Sequence, residues 1–295
     1  MRVGFLGLGA IGTPMAARVA RDHQLTVWNR TGDRATAFAT RHDATAAATP
    51  AELARAVDVI ITCLPTSREV AEVIERPDGL NQGMRSGMLL LDCTSGDPGT
   101  SRRLAAELAA RGVEFADAPV SGGTNGAEAG TLTVMIGGDP AVVERARPVL
   151  QSFAARIQHV GPVGAGHAVK AVNNTLLATN IRAVGEGLAA LARAGVAPRD
   201  ALSVINTSSG RSFVSETLVP ERVLTGAWPR TFRLALLDKD VHIALDLLAE
   251  NGLDGRLLHR VGELAHEARQ ALGEEADYLE IIRLIETEAG VELRG

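Results

Sequence analysis

The chain has 295 residues, 46% of them hydrophobic, and a formal charge of −5 from 30 basic and 35 acidic side chains. This length and apolar content support a sizeable core and predict two domains. The charges are interspersed without a basic stripe, which argues against a nucleic-acid partner, and no apolar run approaches the roughly 20 residues that span a membrane. Cys63 and Cys93 each close an apolar run, so they read as small buried hydrophobes and not as a disulfide framework. The opening MRVGFLGLG enters an apolar strand without a charged leader, which predicts a cytoplasmic protein.

In chain order, Val3 to Leu6, Leu25 to Trp28, Val57 to Leu64, Met88 to Asp92 and Val113 to Asp117 read as strands separated by helical segments. That alternation predicts a parallel sheet with helices on both faces. Thr49 before Pro50, Thr66 and Ser67 before REVAEVI, and Asp97 before Pro98 are helix N-cap candidates. Thr131 to Ile136 and Ile157 to Val160 add two strand-like runs around a helix from Pro140 to Phe153. After the turn-rich GPVGAG the pattern becomes wholly helical, beginning with a run from about His167 to Ala194 that would extend on the order of 40 Å. The expected fold class is therefore α/β, doubly wound at the N-terminus and all-α at the C-terminus. The domains are set at 1–163 and 164–295, with a long interdomain helix.

Directly after the first strand comes Gly7-Leu8-Gly9-Ala10-Ile11-Gly12, the GxGxxG spacing, leading into a helix. Gly7 permits the tight turn, Gly9 lets backbone approach a pyrophosphate, and Gly12 allows close packing. The helix N-terminus offers its unpaired N–H groups to the anion. A dinucleotide site is expected over this whole stretch, Ala10 and Ile11 included. The second strand ends Trp28-Asn29-Arg30-Thr31 without the carboxylate that accepts a ribose 2′-hydroxyl in NAD sites. Arg30 instead suits a 2′-phosphate, with Asn29 and Thr31 adding neutral hydrogen bonds, so NADP is expected over NAD, which stays possible. A solvated surface arginine is the alternative. Leu64-Pro65-Thr66 and Thr94-Ser95-Gly96 follow later strands, where they either line the cofactor or simply turn the chain.

DAPVSGG places Ser121, Gly122 and Gly123 just after a strand, where a hydroxyl and bare amides converge on a carboxylate or form a flexible turn. GAGHAVKAVNN, from Gly164 to Asn174, sets Lys170, Asn173 and Asn174 on one helical face among Val169, Val172, Leu176 and Leu177. A lysine so placed is expected to be partly desolvated, which lowers its pKa toward proton transfer near neutrality. Pairing with a distant carboxylate at a domain interface is the alternative. His167 reads as a helix-start residue or one that supports the site from behind, and not as a catalyst. In FRLALLDKDV, Asp238, Lys239 and Asp240 interrupt an apolar stripe, which a solvated face would also explain, and His242 follows. No second histidine or cysteine stands at a convincing ligand spacing, so no metal is expected.

Taken together, GLGAIG with TPMA, DAPVSGG with GTL, GxGxxxKxxNN ending at Asn174, and Lys239-Asp240 resemble the β-hydroxyacid dehydrogenase family along nearly the whole chain. The resemblance implies a Rossmann-like domain, an all-α domain, an active site between them, and a homodimer or homotetramer. It implies Lys170 as catalytic acid/base, Asn174 as a substrate-positioning residue, and Ser121, Gly122 and Gly123 on the substrate carboxylate. It implies that Lys239 and Ser95 contact the cofactor, while Leu64 and Pro65 are placed beside it only by their position after a strand. The implied substrate is a small 3-hydroxy acid or its semialdehyde, and Phe213, Val214, Phe232 and Leu236 are candidates to shape its pocket. Imine reductases of similar fold usually carry Asp or Tyr where this chain has Lys170. A non-catalytic NADP-binding module, the other rival, is a fate of family members that have lost that lysine.

Overall fold

The seven strands read from apolar runs assemble with two more into one nine-stranded sheet in a computed structural model that describes residues 1–295. Two compact units divide the chain, Met1–Lys170 and Ala171–Gly295. The first unit begins β1 (Arg2–Leu6), α1 (Gly12–Asp22), β2 (Gln24–Trp28), α2 (Gly32–His42), β3 (Thr45–Ala46) and α3 (Pro50–Ala56). It continues β4 (Val59–Thr62), α4 (Ser67–Glu75), β5 (Leu89–Asp92), α5 (Pro98–Ala109) and β6 (Glu114–Asp117). These six strands pair in parallel in the order β3-β2-β1-β4-β5-β6, so the chain reverses its direction of travel across the sheet between β1 and β4.

Both faces of this sheet are covered, and the side chains sort by a period of two. Phe5, Val59, Ile61, Leu89 and Leu91 enter one core, while Leu6, Ile60 and Leu90 enter the other with Leu53 and Ile74. The expected caps form. Thr49 accepts from the Glu52 amide, Thr66 from the Arg68 amide and Asp97 from the Thr100 amide, each satisfying a donor with no partner inside its own helix.

The remaining strands depart from a purely parallel reading. After β7 (Val120–Ser121) and α6 (Gly123–Ala129), β8 (Leu132–Gly137) runs antiparallel to both β6 and β7. Helix α7 (Pro140–Leu150) then returns the chain to β9 (Ala154–Gly161), parallel to β8. The two-residue strands β3 and β7 are too short to show a period and were not expected.

Helix α8 (Ala165–Arg193) follows. The second unit contains α9 (Pro198–Ile205), a π-helical segment Val214–Val223, α10 (Leu234–Glu250), α11 (Arg256–Leu272) and α12 (Ile281–Ala289). Its core gathers Ile181, Leu188, Leu218, Leu237, Val241 and Ile285. Val214, a candidate pocket residue, is fully buried in this core. Phe232 stacks edge-on against Tyr278 with ring centres 5.7 Å apart. Phe213 is exposed and Leu236 partly so. No helix is long and apolar enough to cross a membrane.

Candidate active site

The residues Gly7 to Gly12, Asn29 to Thr31, Leu64 with Pro65, and Ser95 all follow carboxyl ends of parallel strands β1, β2, β4 and β5. Because those strands are neighbours, the loops line one edge of the sheet on either side of the reversal between β1 and β4, where such folds bind ligands. Hydrogen bonds across the edge hold the loops. The Leu8 amide donates to Asn29 Oδ1 at 3.0 Å, and the Leu64 amide donates to Thr94 Oγ1 at 3.1 Å.

Each glycine of the first loop has a separate steric reason. Gly7 adopts φ +103°, and a Cβ there would lie 2.1 Å from the Cys63 carbonyl oxygen. A Cβ on Gly12 would lie 2.0 Å from the Gly7 carbonyl oxygen. Around Gly9 nothing stands within 4 Å, leaving bare backbone open to an approaching group. Helix α1 has no side-chain cap and no acidic residue in its first turn, so although the Thr13 amide donates to the Gly9 carbonyl at 3.0 Å, no side chain of its own competes with an anion at this helix start. These features fit a dinucleotide pyrophosphate. Gly12→Ala is expected to cost about 1–3 kcal/mol by overpacking and to weaken NADPH binding, read by urea denaturation and by nucleotide fluorescence titration.

Beside the end of β2 lies a cavity of about 460 Å³ lined by Trp28, Asn29, Arg30, Thr36, Arg76 and Asp78 among others. Asp78, the one carboxylate in its wall, is held by Arg76 at 2.5 Å. Arg30 is exposed at this cavity, and Asn29 Nδ2 donates to the Thr31 carbonyl at 3.0 Å.

The DAPVSGG segment turns sharply. Ser121 ends β7, and Gly122 and Gly123 take φ +133° and +64°, conformations that a side chain would strain. Asp117 of the same segment has a role that sequence reasoning missed. Its carboxylate accepts from the Gly164 amide at 2.7 Å and the His167 amide at 2.8 Å, which anchors the start of α8. Burial pushes the Asp117 carboxyl above its usual range, while the charge of His167 and these two amides oppose that shift. His167 is fully buried, its Nδ1 2.7 Å from Ser101 Oγ, and a Cβ on Gly96 would crowd its ring at 2.6 Å. It is a helix-start residue, as its position suggested.

Lys170 lies one turn further along α8 and is 9% exposed. Of the four apolar neighbours expected to desolvate it, Val169, Val172 and Leu176 are 36–52% exposed, and Leu177 is partly buried against the core of the second unit. The two asparagines also diverge. Asn173 is exposed, whereas Asn174 is buried and donates through Nδ2 to Asp240 Oδ2 at 2.6 Å. Asp240 holds Lys239 Nζ at 2.8 Å through its other oxygen, so two of the expected site residues meet through a third to which the sequence assigned no role. Asp238 and Asp240 are each 1% exposed, so this stretch is not a solvated face. The two thiols stay out of the chemistry: burial pushes Cys63 up to about 12 and Cys93 well above its ordinary value, leaving both protonated at neutral pH.

A dinucleotide cradle on a parallel sheet, followed by a helix carrying a buried lysine, defines a nicotinamide-dependent oxidoreductase. Residues 2–161 match the NAD binding domain of 6-phosphogluconate dehydrogenase, and residues 164–285 match the NAD-binding region of NADP-dependent 3-hydroxyisobutyrate dehydrogenase. The chain is 34% identical to 2-(hydroxymethyl)glutarate dehydrogenase of Eubacterium barkeri, covering 100% of this chain and 98% of that protein. It is 31% identical to 2-hydroxy-3-oxopropionate reductase of Escherichia coli K12, covering 99% and 100%. The solved structure of Mycobacterium tuberculosis 3-hydroxyisobutyrate dehydrogenase with L-serine superposes with a TM-score of 0.88 at 30% identity, covering 96% and 98%. The chain belongs to the β-hydroxyacid dehydrogenase family, and is an NAD(P)-dependent oxidoreductase acting on the CH–OH group of β-hydroxy acids.

Proposed function

We propose that this enzyme interconverts a small 3-hydroxy acid and its semialdehyde or keto acid with NADP as preferred cofactor and Lys170 as the acid/base. The observation that carries the lysine's role is its burial on α8, one turn before an asparagine that Asp240 holds in place. In the oxidative direction, Lys170 Nζ takes the proton of the substrate hydroxyl, and in the reductive direction it returns that proton to the carbonyl oxygen. The nicotinamide, when bound, exchanges a hydride with the carbinol carbon. Asn174, fixed through Asp240, positions the reacting oxygen, and Ser121 with the amides of Gly122 and Gly123 binds the carboxylate. Ser95, Leu64, Pro65 and Lys239 contact the cofactor. We read the assembly as a homodimer or homotetramer, supported by the exposed apolar row Val169, Val172 and Leu176.

The cofactor preference rests on Arg30. It borders a cavity whose sole carboxylate already holds an arginine, and no acidic side chain ends β2 to accept a 2′-hydroxyl. Arg30→Gln is expected to weaken NADPH by about 1.5–3 kcal/mol, roughly 10- to 150-fold, the range for a hydrogen bond to a charged group. NADH kinetics should barely move, and equal losses for both cofactors would remove Arg30 from phosphate recognition. The reaction itself is tested by following NADPH and NADH oxidation in parallel across short semialdehydes and 2-oxo acids. No turnover of any of them by protein that binds NADPH would reopen the substrate class.

A further inference from the structure

Outside the dinucleotide cradle and the lysine helix, one cluster of ligating side chains has no part in the proposed chemistry. Asp238 and His242 lie one turn apart on α10, and α11 brings His266 against them. Asp238 Oδ1 is 3.3 Å from His242 Nδ1, and Asp238 Oδ2 is 3.5 Å from His266 Nδ1. One donor atom from each of the three residues lies within 4.8 Å of the other two. The carboxylate is 1% exposed, and its Oδ1 is buried with no hydrogen-bond partner. A buried acceptor left without a donor is costly, and a native structure that keeps one calls for an explanation such as an ion.

We propose that Asp238, His242 and His266 form a binding site for a divalent transition-metal ion of the zinc class, which clamps α10 to α11. Two imidazoles and a carboxylate are a donor set suited to zinc. Tetrahedral coordination with bonds of about 2.0–2.1 Å places donor atoms about 3.3 Å apart, close to the 3.5 Å between Asp238 Oδ2 and His266 Nδ1. The imidazole planes are inclined at 73° with centres 6.0 Å apart, so their edges converge and do not stack. Both histidine side chains are about half exposed, which leaves a fourth position to water and an open path for the ion.

The surrounding groups favour this arrangement. His266 Nε2 meets the Gln270 amide at 3.0 Å, an outer contact that aims the opposite ring nitrogen toward Asp238. A half-turn of the amide offers its oxygen to an Nε2–H once Nδ1 is a ligand. His242 Nδ1 lies 2.8 Å from the Asp238 carbonyl oxygen, which leaves Nε2 as a ligand without disturbing that contact. Arg269 donates to Asp238 Oδ2 at 3.0 Å and opposes a cation, yet two shorter bonds to Glu274, 2.9 and 2.6 Å, offset part of its charge.

The test uses the tag-free full chain stripped with a chelator. Zinc is titrated by calorimetry at neutral pH, and cobalt(II) by its visible spectrum. Expected are one ion per chain, cobalt bands of a four-coordinate nitrogen/oxygen site, and a higher melting temperature in zinc. His266→Ala should weaken binding at least about tenfold, and the His242→Ala/His266→Ala pair should abolish both binding and the melting shift. NADPH binding retained by the double variant shows that it is folded. Absence of zinc binding to the wild type, or equal binding by the double variant, overturns the site. None of these readouts depends on turnover.

Discussion

Lys170→Ala is expected to lower kcat about 10²- to 10⁴-fold, the usual contribution of one positioned acid or base, with NADPH affinity nearly unchanged. The lysine is on the helix that follows the sheet, not in the loops at the carboxyl ends of β1, β2, β4 and β5, so its loss removes a proton acceptor and leaves the cradle intact. Lys170→Arg is expected to be nearly as impaired, because a guanidinium keeps its proton at every working pH. The measurement is steady-state turnover of a semialdehyde substrate with parallel fluorescence titration of NADPH. A rise in KM alone, or activity retained in the alanine variant, would remove Lys170 from the mechanism.

Asp117→Ala is expected to be the most destabilising polar substitution in the first unit. It strips partners from two buried backbone amides, those of Gly164 and His167, at about 1–3 kcal/mol each, for a loss of roughly 2–4 kcal/mol once water fills part of the space. At about 2–4 °C per kcal/mol for a domain of this size, the melting temperature should drop roughly 5–15 °C. Turnover should fall as well, since the displaced segment lies one turn before Lys170. Asp117→Asn keeps one acceptor and is expected to lie between. Thermal melting followed by circular dichroism separates the three proteins.

The pH dependence of Asp117 runs opposite to that of a carboxylate in an ion pair. Burial raises its folded pKa, so above the ordinary value of 3.8 the native state retains a proton that the unfolded chain has released. This residue's contribution to stability is therefore greatest at low pH and declines as pH rises from 3.8 through the folded value. At neutral pH the two amides offset part of that desolvation cost, and the alanine variant forfeits that offset while also shedding the charge. The difference in melting temperature between Asp117→Ala and wild type should accordingly depend on pH across the acidic range, while a flat difference would show that Asp117 does not titrate differently on folding.

Much of the architecture was legible from pattern. Short apolar runs marked β1, β2, β4, β5 and β6 to within a residue or two, because strands buried on both faces are continuous apolar segments that turn residues interrupt. GLGAIG was legible because each glycine answers a local steric demand set by the turn and helix around it. The caps at Thr49, Thr66 and Asp97 were legible because donor and acceptor lie two or three residues apart.

What escaped were pairings between distant residues. Asp117 reaches an amide 47 positions away and Asn174 reaches Asp240 across 66, and neither has a periodic signature. His266 meets Asp238 and His242 only because α11 packs on α10, so a search for ligands at short spacing passed over it. The neighbouring asparagines were read as one face, yet they lie about 100° apart around a helix, and packing buries one and leaves the other in solvent. By itself the sequence determined the elements, the glycine cradle and the residue types available for chemistry, since these depend on interactions within a few residues. Only the tertiary structure decided which buried carboxylates hold the helix of Lys170, which fix Asn174, and which face a pair of histidines. Desolvation and hydrogen-bond satisfaction are properties of what surrounds a side chain in space, and most of those surroundings come from far along the chain.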